Sequence, residues 1–165
     1  MEGRSKKSLA LDTNVLLDLA DGSEVAHDFR EIFIRKGYSL VAPPTAMFEL
    51  ALHHASEDAR RKHLAGVALS KLDAWRVVPL SSSEVDAAIA ERFAVRLIEL
   101  GLLPEEEFSD GLILAEAALA GIPVVVSSDK HLLDIEPEEL RAALDAADLG
   151  HVSVMHPHKM LRAVL

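Results

Sequence analysis

Two short apolar runs, Ser8–Leu11 and Ile122–Val126, are bounded by polar residues. Runs of that length and purity suit strands covered on both faces, which occur in parallel sheets. Parallel strands cannot be joined by tight turns, so such a sheet demands long crossover connections. The chain supplies them. Weaker strand candidates at Ser39–Ala42, Trp75–Leu80 and Val152–Met155 are separated by stretches with helical patterning. The expected fold is α/β, a three-layer α/β/α sandwich with a mostly parallel central sheet. At 165 residues, half of them hydrophobic, residues 1–165 read as a single domain.

Helix ends sharpen the outline. Ser81 with Glu84 fits a capping box ahead of a long amphipathic run that Gly101 stops, and Gly121 closes the helix around Asp110. From Pro43 to Gly101 the chain reads as largely helical, and the charged stretch Glu57–His63 reads as an exposed face. No repeat or low-complexity segment interrupts it.

Composition excludes several chemistries. The absence of cysteine rules out disulfides, thiolate metal sites and thiol catalysis. Met1–Ser8 is charged and polar, no later apolar run approaches the roughly 20 residues that span a bilayer, and a cytoplasmic protein is expected. A net charge of −10 argues against holding nucleic acid through a broad cationic surface.

Four acids stand out against this background. Asp12 directly follows the first apolar run, and Asp129 lies just past Val124–Ser128. Both therefore fall at the carboxyl edge of the sheet, where open α/β folds bind ligands. Either acid alone can equally cap the helix that follows. Asp110 shares a helical stripe with Ile113, Leu114, Ala117 and Ala118, which turns its carboxylate toward the core, although an acid near a helix start also complements the macrodipole. Glu49 is the only charge between Ala46 and Leu52, and burial against the sheet is expected for it. Carboxylates gathered at one edge repel one another unless a cation joins them. Mg²⁺ or Mn²⁺, hard ions that prefer oxygen ligands, would relieve that repulsion. Thr13, Asn14 and Ser127 can support the site through metal or water contacts, or act as local caps. The eight histidines lack a convergent spacing with the acids.

The segment Leu11–Leu19, with Asp12-Thr13-Asn14 after a strand, resembles the opening of PIN-domain nucleases. Pro44–Leu52 with Glu49 resembles that family's second motif, Asp110 with its Ala-rich helix the third, and Val125–Asp129 the fourth. Val154-Met155-His156-Pro157 to Leu161 resembles the closing strand, proline and helix. Leu132 and His131 depart from the pattern, standing where many members carry an aromatic residue and a further acid, which leaves the number of metal ions at one or two. The resemblance implies a divalent-metal-dependent endoribonuclease with Asp12, Glu49, Asp110 and Asp129 as catalytic metal ligands. It also implies a homodimer and, as in many short bacterial members, the toxin of a toxin–antitoxin pair blocked by an antitoxin protein. A non-catalytic PIN-like module that binds RNA or protein is the alternative. A phosphatase of the haloacid dehalogenase type would need an acid where Asn14 stands.

Overall fold

The structure is a computed structural model that describes residues 7–165, so most of the polar start, Met1–Lys6, lies outside the described residues. Its sheet has five strands, β1 (Ser8–Leu11), β2 (Ser39–Ala42), β3 (Val77–Pro79), β4 (Val124–Val126) and β5 (Ser153–Met155), in the order β3-β2-β1-β4-β5. Every pairing is parallel. Leu9, Ala10 and Leu11 are consecutive and all buried. Since successive strand residues point to opposite faces, both faces of β1 are covered, and a three-layer sandwich follows.

Helices α1 (Thr13–Ala20) and α2 (Glu24–Arg35) lead from β1 to β2, and α3 (Pro44–His54) and α4 (Ala59–Lys71) from β2 to β3. Helices α5 (Glu84–Glu99) and α6 (Phe108–Leu119) return the chain to β4. A single turn, α7 (Lys130–Leu133), and α8 (Pro137–Ala146) precede β5, and α9 (Pro157–Val164) packs against α2. The chain steps one way from β1 to β3 and the other way from β4 to β5. The carboxyl ends of β1 and β4 therefore flank the topological switch point, the crevice where such sheets bind ligands.

The structure corrects several sequence boundaries. The cap of α5 is Ser83, whose hydroxyl accepts from the Asp86 N–H at 3.1 Å, and not Ser81. Any of the three serines at 81–83 has the chemistry to cap, and the helix begins only after the third, at Glu84. The strand expected at Trp75–Leu80 begins only at Val77, because the Trp75 N–H still bonds back to Lys71 and Arg76 turns the chain at φ 60°. β4 starts after Pro123, which has no N–H to give a neighbouring strand. The helix stops at Gly101 and Gly121 are as expected, with φ of 75° and 72° in the left-handed region that glycine enters freely. Residues 57–63 are exposed, also as expected.

Close approach of α5 to α6 sets the depth at which Asp110 sits. A Cβ added to Gly111 would lie 2.8 Å from both Cα and Cβ of Ala94, a buried alanine on α5. The neighbour is backbone and cannot swing aside, so Gly111→Ala should destabilise the protein by about 1–3 kcal/mol despite alanine's better helix propensity. Urea unfolding of both proteins measures this, and a more stable variant would mean the two helices are not held so closely.

Candidate metal centre

Register brings the acids together. Leu11 pairs with Val126, so Asp12 and Ser127 leave adjacent strands at the same level. The Asp12 N–H extends the pairing by donating to the Val126 carbonyl at 2.9 Å. Asp12 then caps α1: Oδ1 accepts from the Thr13 N–H at 2.7 Å, while Oδ2 accepts from the Ser127 hydroxyl at 2.7 Å. The Ser127 Oγ in turn accepts from the Asp129 N–H at 2.9 Å. One buried hydroxyl thus ties two acids to one another, and Asp129 caps α7 by accepting from the His131 N–H at 2.8 Å.

Asp110 arrives from a third direction, in the first turn of α6. Carboxylate oxygens of Asp12, Asp110 and Asp129 all lie within 4.8 Å of one another. Asp12 and Asp110 are buried, and Asp129 is half-buried. Oδ2 of Asp110 is shielded from solvent and has no hydrogen-bond partner in the protein. A buried carboxylate oxygen without a donor is costly. The ion pairs among the described residues involve none of these three acids.

The electrostatic result is strong retention of protons. Burial pushes the Asp12 carboxyl up from 3.8 to about 7, helped by Glu49 and Asp129 and opposed by the hydrogen bonds from Ser127 and Thr13. Burial also pushes Asp110 up to about 9, with the charges of Asp12, Asp129 and Glu107 adding to it.

Glu49 is corrected in position. It is half-buried instead of packed against the sheet, and α3 exposes Phe48 and Leu52 on the neighbouring face. It stands outside the three-acid group, linked to it by the Thr13 hydroxyl, which donates to Oε1 at 2.6 Å. Asn14 is half-buried on α1.

Sequence reasoning passed over Glu116. Its carboxylate accepts from the Thr45 N–H at 3.0 Å and the Thr45 hydroxyl at 2.6 Å, and so caps the start of α3, where Pro43 offers no side-chain oxygen. That contact fixes the helix carrying Glu49 against the helix carrying Asp110. The signal was present, because Glu116 is the sole charge between Gly111 and Leu119. Of the two positions that depart from the family pattern, Leu132 is fully buried, and His131 lies 3.6 Å from Glu107 at the rim.

Fold and site together define an all-parallel α/β sandwich with a carboxylate cluster at its switch point. The PIN domain family model matches residues 9–138, and the chain belongs to that family, whose members are typically nucleases. No curated protein matches the sequence. Solved structures share the fold. The structure of VapBC2 from Rickettsia felis, bound to a DNA fragment from its promoter, matches at 14% identity and a TM-score of 0.60, over 90% of this chain and 98% of that one. FitAcB from Neisseria gonorrhoeae matches at 21% identity and 0.53, over 90% and 97%. FitAB bound to an IR36 DNA fragment matches at 20% and 0.55, over 91% and 95%.

The raised values carry a sign for stability. The folded state holds protons that the unfolded chain releases near pH 3.8. Without a bound cation, stability present below that pH is lost as pH climbs toward about 7 for Asp12 and about 9 for Asp110. In EDTA the melting temperature should therefore fall between pH 5 and pH 9. Asp110→Asn should flatten that fall and melt higher than the parent at pH 8. A variant that melts lower there would make Asp110 a structural cap.

Proposed function

We propose that the chain is a divalent-metal-dependent endoribonuclease, and the toxin of a toxin–antitoxin pair acting in the cytoplasm. The observation that carries the metal reading is the Asp12, Asp110 and Asp129 cluster with its unpartnered Asp110 Oδ2. An all-carboxylate donor set suits Mg²⁺ or Mn²⁺ over softer ions. Asp12, Asp110 and Asp129 would hold the ion, with Glu49 completing the shell directly or through water. Such an ion supplies charge to stabilise a phosphodiester oxygen and lowers the pKa of a bound water toward neutrality.

The chain's own residues do the positioning. Ser127 fixes the direction of the Asp12 carboxylate and the backbone of Asp129 in one stroke. Thr13 holds Glu49 at the rim, where its second oxygen is available to orient an attacking water and take its proton. Glu116 keeps that rim in place through Thr45. Asn14 stands beside Thr13 as further polar support.

An antitoxin partner is supported by the fold shared with the VapBC2 and FitAB structures. A small protein partner would cover the acidic edge and block it. A homodimer is supported by α5, which leaves Val85 and Val95 exposed, with Leu100 exposed just beyond its end.

Purified protein should cleave RNA internally with Mg²⁺ or Mn²⁺, and EDTA should abolish cleavage. Asp12→Asn and Asp110→Asn should each lower the rate by several orders of magnitude, and Glu116→Gln by a smaller factor. Cleavage that persists undiminished in excess EDTA would overturn the metal reading. Metal binding with no cleavage of any RNA would leave a non-catalytic binding module.

A further inference from the structure

The carboxyl edge does not end at the acids. Val126 pairs with Met155, so His156 leaves β5 level with Ser127 on β4 and Asp12 on β1. The three residues form a row along the edge, with neighbouring strands about 4.8 Å apart. Beyond the row, between α2 and α9, lies a cavity of about 480 Å³. Its polar lining comprises Asp18, Ser23, Ser128, His156, His158 and Lys159.

This cavity differs in character from the acid cluster beside it. Its one carboxylate, Asp18, is engaged, with Oδ2 accepting from the Ser128 hydroxyl at 3.0 Å. The Ser128 proton is given to Asp18, and Ser23, His156, His158 and Lys159 remain able to donate. The Nδ1 of His156 accepts from the His158 N–H at 3.0 Å, so a neutral ring must carry its proton on Nε2. Lys159 adds an exposed ammonium, in a chain with a net charge of −10. Ser128 belongs to both places, lying between Ser127 of the acid site and Asp129, while its hydroxyl faces Asp18.

We propose that this cavity receives a second phosphodiester of the substrate strand, no more than a few nucleotides from the one held at the acids. The inference rests on the nuclease reading and gives that site a direction: the strand would run from β1 across β4 to the end of β5. It also answers how so acidic a protein holds a polyanion. Affinity comes from donors placed along the path, with no broad basic surface.

The test uses an oligoribonucleotide that the wild type cleaves, with a single uncharged methylphosphonate walked outward from the cut. The wild type should lose about tenfold in kcat/KM at one position on one side of the cut. Lys159→Gln should raise KM about tenfold on the unsubstituted strand with kcat unchanged, and should lose nothing more at that same position. The salt dependence of its binding should also fall by about 0.7 in logarithmic slope, the value for one phosphate of a single strand. Equal further losses for variant and wild type at every position would overturn the proposal, as would an unchanged KM. Competition by inorganic phosphate that is lost in Lys159→Gln, with no sensitive methylphosphonate position, would mark a free-anion site and overturn it too. A wild type that cleaves no RNA would refute the nuclease reading itself, a result distinct from any of these.

Discussion

Placing three carboxylates together at a half-dry sheet edge is the constraint on which the rest of this structure depends. Asp12 and Asp110 are nearly out of solvent, and the one Asp110 oxygen that faces inward has no donor. Folding alone does not resolve that conflict. It is relieved either by protons, as the raised carboxyl values show, or by a cation. The scaffold tolerates the arrangement because each acid also serves the fold locally. Asp12 caps α1, Asp129 caps α7, and Asp110 sits in the first turn of α6, where the helix dipole favours an acid. The same atoms that terminate strands and start helices therefore converge on one point.

Convergence is maintained by a small set of polar contacts and one tight packing contact. The Ser127 hydroxyl joins the β1 and β4 ends, Thr13 carries the connection to Glu49, and Glu116 closes the loop by holding α3 to α6. Glycine at 111 lets α6 lie against Ala94, which sets where Asp110 enters the cluster. Parallel register supplies the remaining order, since level strand ends place Asp12, Ser127 and His156 in one line.

Much of this was legible in the sequence because the physics is local. The runs Leu9–Leu11 and Val124–Val126 contain no polar residue, and they suit strands covered on both faces. An acid after such a run falls at the carboxyl edge by necessity, so Asp12 and Asp129 were readable, and the apolar stripe around Asp110 made it readable too. Glu49 was placed less well. Its neighbours Phe48 and Leu52 are apolar yet exposed, and hydrophobicity along a helix does not reveal which face meets a partner. The choice of Ser83 over Ser81 as a cap is a competition among chemically equivalent neighbours that residue type alone does not resolve. Contacts such as Thr45 to Glu116, and Asp18 to Ser128, join residues far apart in the chain, and no local pattern encodes them.

On the proposed metal reading, a divalent cation replaces protons among Asp12, Asp110 and Asp129. Calorimetric titration of the protein with Mn²⁺ at pH 7, repeated in buffers of different ionisation enthalpy, counts the protons displaced. With Asp110 titrating at about 9 and Asp12 at about 7, binding should release between about one and two protons per ion. Asp110→Asn should bind more weakly and release about one fewer. Binding with no proton release, or with the same affinity and proton count in Asp110→Asn, would contradict the assignment of these three acids as the metal centre.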